Sequence, residues 1–321
     1  MSSTNFSALV IVCLSLTSLI ITIVYGRWLR AEQARVEAGS QVVDTACGPI
    51  EYASVGDGPV VVISHGGGGG YDNGLLHLRS LTTFGFRVIA VSRAGYLRTP
   101  ARVGRTPESM ADTYAALLEA LNVPCAAIIG LSAGGPSAIQ FALRHPERCW
   151  ALGLISAITG QFLDVGRKQF LKRLGLADVA MWVMTLFPPL RQRYTRFVIA
   201  HVIPDPADRA ALLADPEKLA RIARVEHVGG TNHLRQVGIA IDQAQWPRIP
   251  VYPVEQVTAP ILLLHGEADQ TVPLAHAEFV AQTAPHAKFV TLSGAGHALL
   301  LTHPPALQQL VDFLSANAPS S

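Results

Sequence analysis

The chain has 321 residues, 50% hydrophobic and 15% charged, which suffices to bury a core and leaves no room for a long disordered tract. Its formal net charge of +2 is small for this length and argues against the broad basic surface that a phosphate backbone requires, so nucleic acid is not an expected partner.

The first element is apolar. Ala8 to Tyr25 contains no charged residue and is dominated by Leu, Ile and Val, and about 18 residues at about 1.5 Å each span a hydrocarbon core. No basic residue precedes the run and no A-x-A site directly follows it, so a membrane anchor is favoured over a cleaved signal peptide. Arg27, Arg30 and Arg35 follow the run while no Lys or Arg precedes it, which places the folded domain on the cytoplasmic side.

Trp28 to Gly39 mixes Arg, Glu, Gln and Ala and reads as a short polar helix or linker. The domain begins near Gln41 with two extended segments, Gln41–Cys47 and Ile50–Val55, separated by a turn at Gly48-Pro49. Unbroken apolar runs follow at Val60–Ile63, Val88–Val91, Ala126–Ile129, Trp150–Ile155 and Ile261–Leu264, as expected of strands covered on both faces of a parallel sheet. A helix is predicted from Pro107 to Leu121, where Ala111, Tyr114, Leu117, Leu118 and Leu121 recur at helical spacing. Alternating strands and helices imply a doubly wound α/β domain. Between Gly160 and Pro250 the pattern is helical and irregular, which reads as an inserted helical cap. The expected division is an anchor and linker over 1–40, a core over 41–158 and 251–318, and a cap over 159–250.

Four cysteines, Cys13, Cys47, Cys125 and Cys149, show no C-x-x-C spacing and no zinc-type pairing with histidine, so no redox motif or metal site is signalled. They read as small buried apolar residues. The alternative is a disulfide between Cys125 and Cys149, which begin two strands expected side by side.

Gly130-Leu131-Ser132-Ala133-Gly134 lies between a strand and a helix, the context of a nucleophile elbow. Small residues two positions either side of the serine allow the abrupt turn, and the serine hydroxyl meets the N–H groups and dipole of a helix N-terminus. His65 and the glycines Gly66 to Gly70 follow the strand Val60–Ile63. There Gly67 is the expected oxyanion donor beside the N–H of Ala133, with Gly66 second, and His65 reads as structural. No Gly-Lys-Ser/Thr follows and no G-x-G-x-x-G is present, so a phosphate loop is disfavoured. Two late loops supply the remaining groups: His265-Gly266-Glu267-Ala268-Asp269, and Gly294-Ala295-Gly296-His297 after the strand Lys288–Leu292. The order Ser132, Asp269, His297 is that of an acyl-transfer triad, in which Asp269 orients His297 and His297 takes the serine proton. Glu267 is the rival carboxylate.

With these motifs the chain resembles the α/β-hydrolase superfamily from about Gln41 to Leu314. The resemblance implies a mostly parallel sheet with an inserted cap and Ser132, Asp269 and His297 as the catalytic residues. Acyl transfer through an activated serine needs no metal or organic cofactor, and none is suggested. The position of the cap is similar to that in monoacylglycerol lipases, meta-cleavage-product hydrolases, proline iminopeptidases and cofactor-free haloperoxidases. A serine nucleophile departs from haloalkane dehalogenases and epoxide hydrolases, and the cap position departs from hormone-sensitive-lipase relatives.

Gln161 to His201 holds seven Arg or Lys against two Asp, interleaved with Phe162, Phe170, Trp182, Phe187, Tyr194 and Phe197. This suggests a cap that rests on anionic lipid, set against an ordinary amphipathic cap with a solvated basic face. The expected substrate is a small-molecule ester, lipid-derived in one reading. The alternatives are a carbon–carbon hydrolase using the same triad, where a residue such as Arg191 would hold a carboxylate, and a non-catalytic binding protein on this fold. Oligomeric state is not legible.

Overall fold

A computed structural model of the chain describes residues 3–163, 174–203 and 205–319. Its first element is one continuous helix, α1 (Ser3–Ala38). The expected polar helix or linker after Tyr25 is therefore the second half of the same helix. Its last turns pack on the domain: Val36 is buried, and Tyr71 Oη donates to the Val36 carbonyl at 2.6 Å.

The strands are β1 (Gln41–Thr45), β2 (Gly48–Val55), β3 (Val60–Ser64), β4 (Arg87–Val91), β5 (Ala126–Leu131), β6 (Cys149–Ile155), β7 (Ile261–Gly266) and β8 (Lys288–Leu292). They form one sheet in the order β1-β2-β4-β3-β5-β6-β7-β8. The pairs β1–β2 and β2–β4 are antiparallel and all others parallel. The first turn is Ala46–Cys47, not Gly48-Pro49, because Gly48 already pairs with Thr45 as the first residue of β2. The apolar runs are central strands: every residue of β3, β5 and β7 is buried, as two-sided coverage requires.

One face of the sheet packs against α3 (Pro107–Ala120), α4 (Gly135–Arg144) and α10 (Ala275–Thr283); the other packs against α2 (Tyr71–Leu78) and α11 (Pro304–Asn317). The helix α3 starts where the sequence implies, with Pro107 in its first turn and Thr106 and Ser109 forming a reciprocal capping box. Between β6 and β7 lie α5 (Leu174–Leu186), α6 (Pro188–Val202), α7 (Pro206–Ala214), α8 (Pro216–Gly230) and α9 (Gln236–Gln245). This insertion has a small apolar cluster of its own around Ile199, Ile203, Leu212 and Ile222. Phe170, Arg167, Lys168, Lys172 and Arg173 lie outside the described residues.

No disulfide joins the cysteines. Cys149 is buried, Cys47 and Cys125 are half-buried and Cys13 is exposed on α1, so the expectation of buried apolar cysteines holds for Cys149 alone. Ala126, not Cys125, stands opposite Cys149 in the ladder.

Candidate active site

The site lies at the carboxyl ends of β3, β5, β6, β7 and β8, where a doubly wound sheet opens to ligands. The strand β5 ends at Leu131, and Ser132 begins the tight turn into α4 with φ of 49°, a left-handed conformation that costs about 1–3 kcal/mol and persists only where neighbours enforce it. The glycines explain how the turn is tolerated. A Cβ on Gly130 would lie 2.9 Å from both Ala138 Cβ and Gly135 Cα, and one on Gly134 would strike the Ser64 carbonyl. A buried hydroxyl cluster holds the turn from behind: Tyr114 Oη donates to Ser64 Oγ at 2.8 Å, and Ser137 Oγ to the Gly134 carbonyl at 3.1 Å.

Ser132, Asp269 and His297, separated by up to 165 residues of sequence, meet here. Asp269 Oδ2 accepts from His297 Nδ1 at 2.8 Å, which leaves Nε2 to accept the Ser132 hydroxyl at 3.1 Å. The Asp269 side chain has no solvent exposure. Burial alone raises its pKa, but the bonds from His297 and from the Val272 and Thr271 N–H groups outweigh burial and hold it below the ordinary carboxylate value. His265 Nε2 donates to the Val272 carbonyl at 3.0 Å and so braces the same loop. Glu267, two residues away, is exposed and makes no bond to His297.

A cavity of about 310 Å³ opens on Ser132 and His297 and is walled by Gly66, Gly67, Leu131, Ile155, Ala298 and Leu300, with Asn73, His77, Ser156 and Thr271 as polar neighbours. Gly66 abuts the serine, since a Cβ there would sit 3.3 Å from Ser132 Cβ; Ala133 is buried in the turn into α4. His65 is fully buried, bonded to the Gly66 carbonyl and the Arg93 N–H, and does not line the cavity. Arg191 donates to the Ala223 carbonyl within the insertion and does not line the cavity.

Sequence reasoning passed over Asn73, His77, Ser156 and Thr271. One signal was available for Ser156: it follows β6 as Ser132 follows β5, at the end of the sheet where ligands sit. Among the described residues no group of three or more His, Cys, Asp or Glu side chains is placed to hold a metal.

Residues 58–303 match the family model Hydrolase_4, described as serine aminopeptidase, S33. An α/β-hydrolase fold protein from Nakamurella multipartita superposes with a TM-score of 0.79 at 31% identity, over 86% of this chain and 99% of that one. An uncharacterized hydrolase of Bacillus subtilis is 26% identical over 263 residues, 79% of this chain and 90% of its own length. A 2-hydroxy-6-oxo-6-phenylhexa-2,4-dienoate hydrolase of Burkholderia cepacia is 24% identical over 279 residues, 83% of this chain and 91% of its own.

Proposed function

We propose, from the premise that this chain belongs to the serine aminopeptidase S33 family of α/β-hydrolases, that it is a serine hydrolase cleaving a carboxylic ester through an acyl-enzyme on Ser132. The observation that carries the reading is the hydrogen-bonded chain from Asp269 through His297 to Ser132, at 2.8 and 3.1 Å, opening on a cavity. His297 Nε2 takes the hydroxyl proton as Ser132 Oγ attacks the acyl carbon, and ionised Asp269 stabilises the imidazolium. The oxyanion turns toward the N–H groups of Gly67 and Ala133, with Gly66 the second choice for the first of these; each donor is worth about a hundred- to a thousand-fold in rate. The alcohol leaves with the proton from His297. A water that gives its own proton to His297 then releases the acid, and no cofactor enters these steps.

Among the described residues the cavity wall carries no carboxylate, Lys or Arg. Leu131, Ile155, Ala298 and Leu300 give the wall an apolar stretch that suits the acyl chain of a neutral ester, lipid-derived or not. The relative from Burkholderia cepacia favours the second reading, carbon–carbon hydrolysis with the same triad. Residues 159–250 act as the cap in either case.

Residues 8–25 hold the enzyme in a bilayer, with Arg27, Arg30 and Arg35 and the catalytic domain on the cytoplasmic side. Support comes from α1, which among the described residues is long and apolar enough to cross a membrane and buries none of that stretch in the domain. Acyl esters of increasing chain length assayed beside aromatic dienoates separate the two bond types. A fluorophosphonate probe that fails to label Ser132 would sink both in favour of a non-catalytic protein.

A further inference from the structure

The second half of α1 is fixed to the domain by contacts that fall in order along the helix. Val36 is 2% exposed and held by Tyr71. One turn earlier, Glu32 accepts from His227 Nε2, in α8, at 3.0 Å. Two turns earlier again, at the end of the apolar run, Tyr25 meets Trp182 of α5 with ring centroids 5.3 Å apart, and Trp28 stacks on Tyr25 at 5.9 Å.

The helix α5 starts on the domain side of this series. Asp178 accepts from the His233 N–H at 2.9 Å and bonds its Nδ1 at 3.0 Å, six residues beyond the His227 that holds Glu32. Trp182, one turn further along α5, has reached the level of Tyr25. The last turn of α5 lies beyond this contact with the end of the apolar run. It ends in Leu186, and Phe187 follows it; the two are 51% and 58% exposed. The helix α6 then carries Leu190, Tyr194 and Phe197, also exposed, at spacings of four and three that put them on one face. Arg191, Arg193 and Arg196 accompany them, and no Asp or Glu occurs between 186 and 202.

We propose that the corner between α5 and α6, from Leu186 at the end of α5 through Phe187 to Leu190 in the first turn of α6, inserts into the bilayer leaflet that α1 enters, so that the insertion is itself a membrane-docking surface. This rests on the reading of residues 8–25 as a bilayer span. Tyr25, Trp28 and Trp182 form an aromatic cluster of the kind that sits at the headgroup level, and a tip one turn beyond it meets acyl chains. Arg193 and Arg196 of α6 meet anionic headgroups while its apolar face lies below them. Two membrane contacts fix the tilt of the domain where one helix alone leaves it free to swing, and they hold the wall of the cavity at a set height above the lipid.

The test uses the full chain with Cys13, Cys47 and Cys125 replaced by serine. Cys149 stays, since burial pushes its thiol up to about 12 and leaves no reactive thiolate. Single cysteines at Leu16→Cys, Phe187→Cys or Glu119→Cys carry an environment-sensitive fluorophore in phosphatidylcholine–phosphatidylglycerol vesicles with or without doxyl-labelled lipid. Glu119 is exposed on α3, on the other face of the sheet. Quenching of about twofold or more at positions 16 and 187, with none at 119, is the expected result. Quenching at 16 alone, with position 187 open to aqueous iodide, overturns the docking proposal and leaves the anchor standing. Position 187 shielded from both doxyl lipid and iodide overturns it in favour of a second protein chain on the patch. An unquenched position 16 overturns the anchor on which the proposal rests.

Discussion

Arg235 Nη2 donates to Asp72 Oδ2 at 2.7 Å, and the arginine side chain is wholly buried. The pair joins the insertion to the first residues of α2, and Arg235 Nε also donates to the Gly69 carbonyl at 2.9 Å. A second buried pair mirrors it: Arg93 Nη2 donates to Asp242 of α9 at 2.7 Å while its Nε donates to the His65 carbonyl at 3.0 Å. The glycine loop at the serine is thus held by one arginine from the insertion and one from the core. Removing one partner of such a pair leaves a charge stranded out of water, at a cost of about 3–5 kcal/mol. Arg235→Met is expected to lose that much in urea unfolding, and Arg235→Met with Asp72→Leu to recover most of it. A single variant within about 0.5 kcal/mol of wild type would show that the pair does not secure the loop.

The two carboxylates of the β7 loop should separate cleanly. Asp269 is buried against His297 and Glu267 is exposed. Asp269→Asn is expected to lower kcat by about ten-thousandfold, by analogy with orienting carboxylates of other triads, while Glu267→Gln stays near wild type. Equal losses would mean that the acid has been assigned to the wrong residue.

Stability should fall on mild acidification. Desolvation, reinforced by the charges of Arg93 and Arg235, holds the His65 pKa well below its ordinary 6.5, and burial lowers His265 and His276. The folded chain keeps these imidazoles neutral while the unfolded chain binds a proton at each below about 6.5, so stability is greatest above that pH and declines beneath it. The slope is at most about 1.4 kcal/mol per pH unit for each histidine. Asp269, depressed in the folded state, adds its loss only at more acid pH, as its carboxylate is protonated. The urea midpoint is expected to fall between about pH 7.5 and 5.5, and less steeply in His65→Asn. A midpoint flat across that range would contradict the buried neutral imidazoles.

Ser156 is buried with φ of 44°, and its hydroxyl has no hydrogen-bond partner among the described residues although it lies in the cavity wall. A substrate oxygen reaching this hydroxyl from the cavity would supply that partner. Ser156→Ala is expected to raise KM up to about tenfold, the worth of one hydrogen bond, with little change in thermal stability. An unchanged KM on every ester cleaved would remove Ser156 from substrate binding.

Much of this was legible in the chain. Apolar runs ending in glycine mark β3, β5 and β7 because a strand covered on both faces needs no polar alternation, and Ser132, Asp269 and His297 each follow such a strand or its edge neighbour. The continuity of α1 was not legible: the change from apolar to charged residues at Gly26 reads as a boundary, yet Glu32 and Val36 find their partners in the folded domain. Nor were Arg93 and Arg235, whose partners Asp242 and Asp72 lie 149 and 163 residues away. A buried arginine has no periodic signature, and only the tertiary fold supplies the carboxylate that makes it tolerable.

Hydrolysis of p-nitrophenyl esters from acetate to palmitate, by the wild type and by Ser132→Ala prepared in the same way, bears most directly on the proposed chemistry. Wild-type turnover with a preferred acyl length, reduced by about a millionfold in Ser132→Ala, is the predicted result. Retention of the wild-type rate by Ser132→Ala would contradict an acyl-enzyme on that residue. A wild type inert on every ester yet labelled by fluorophosphonate would contradict the ester assignment and move the carbon–carbon bond to the front.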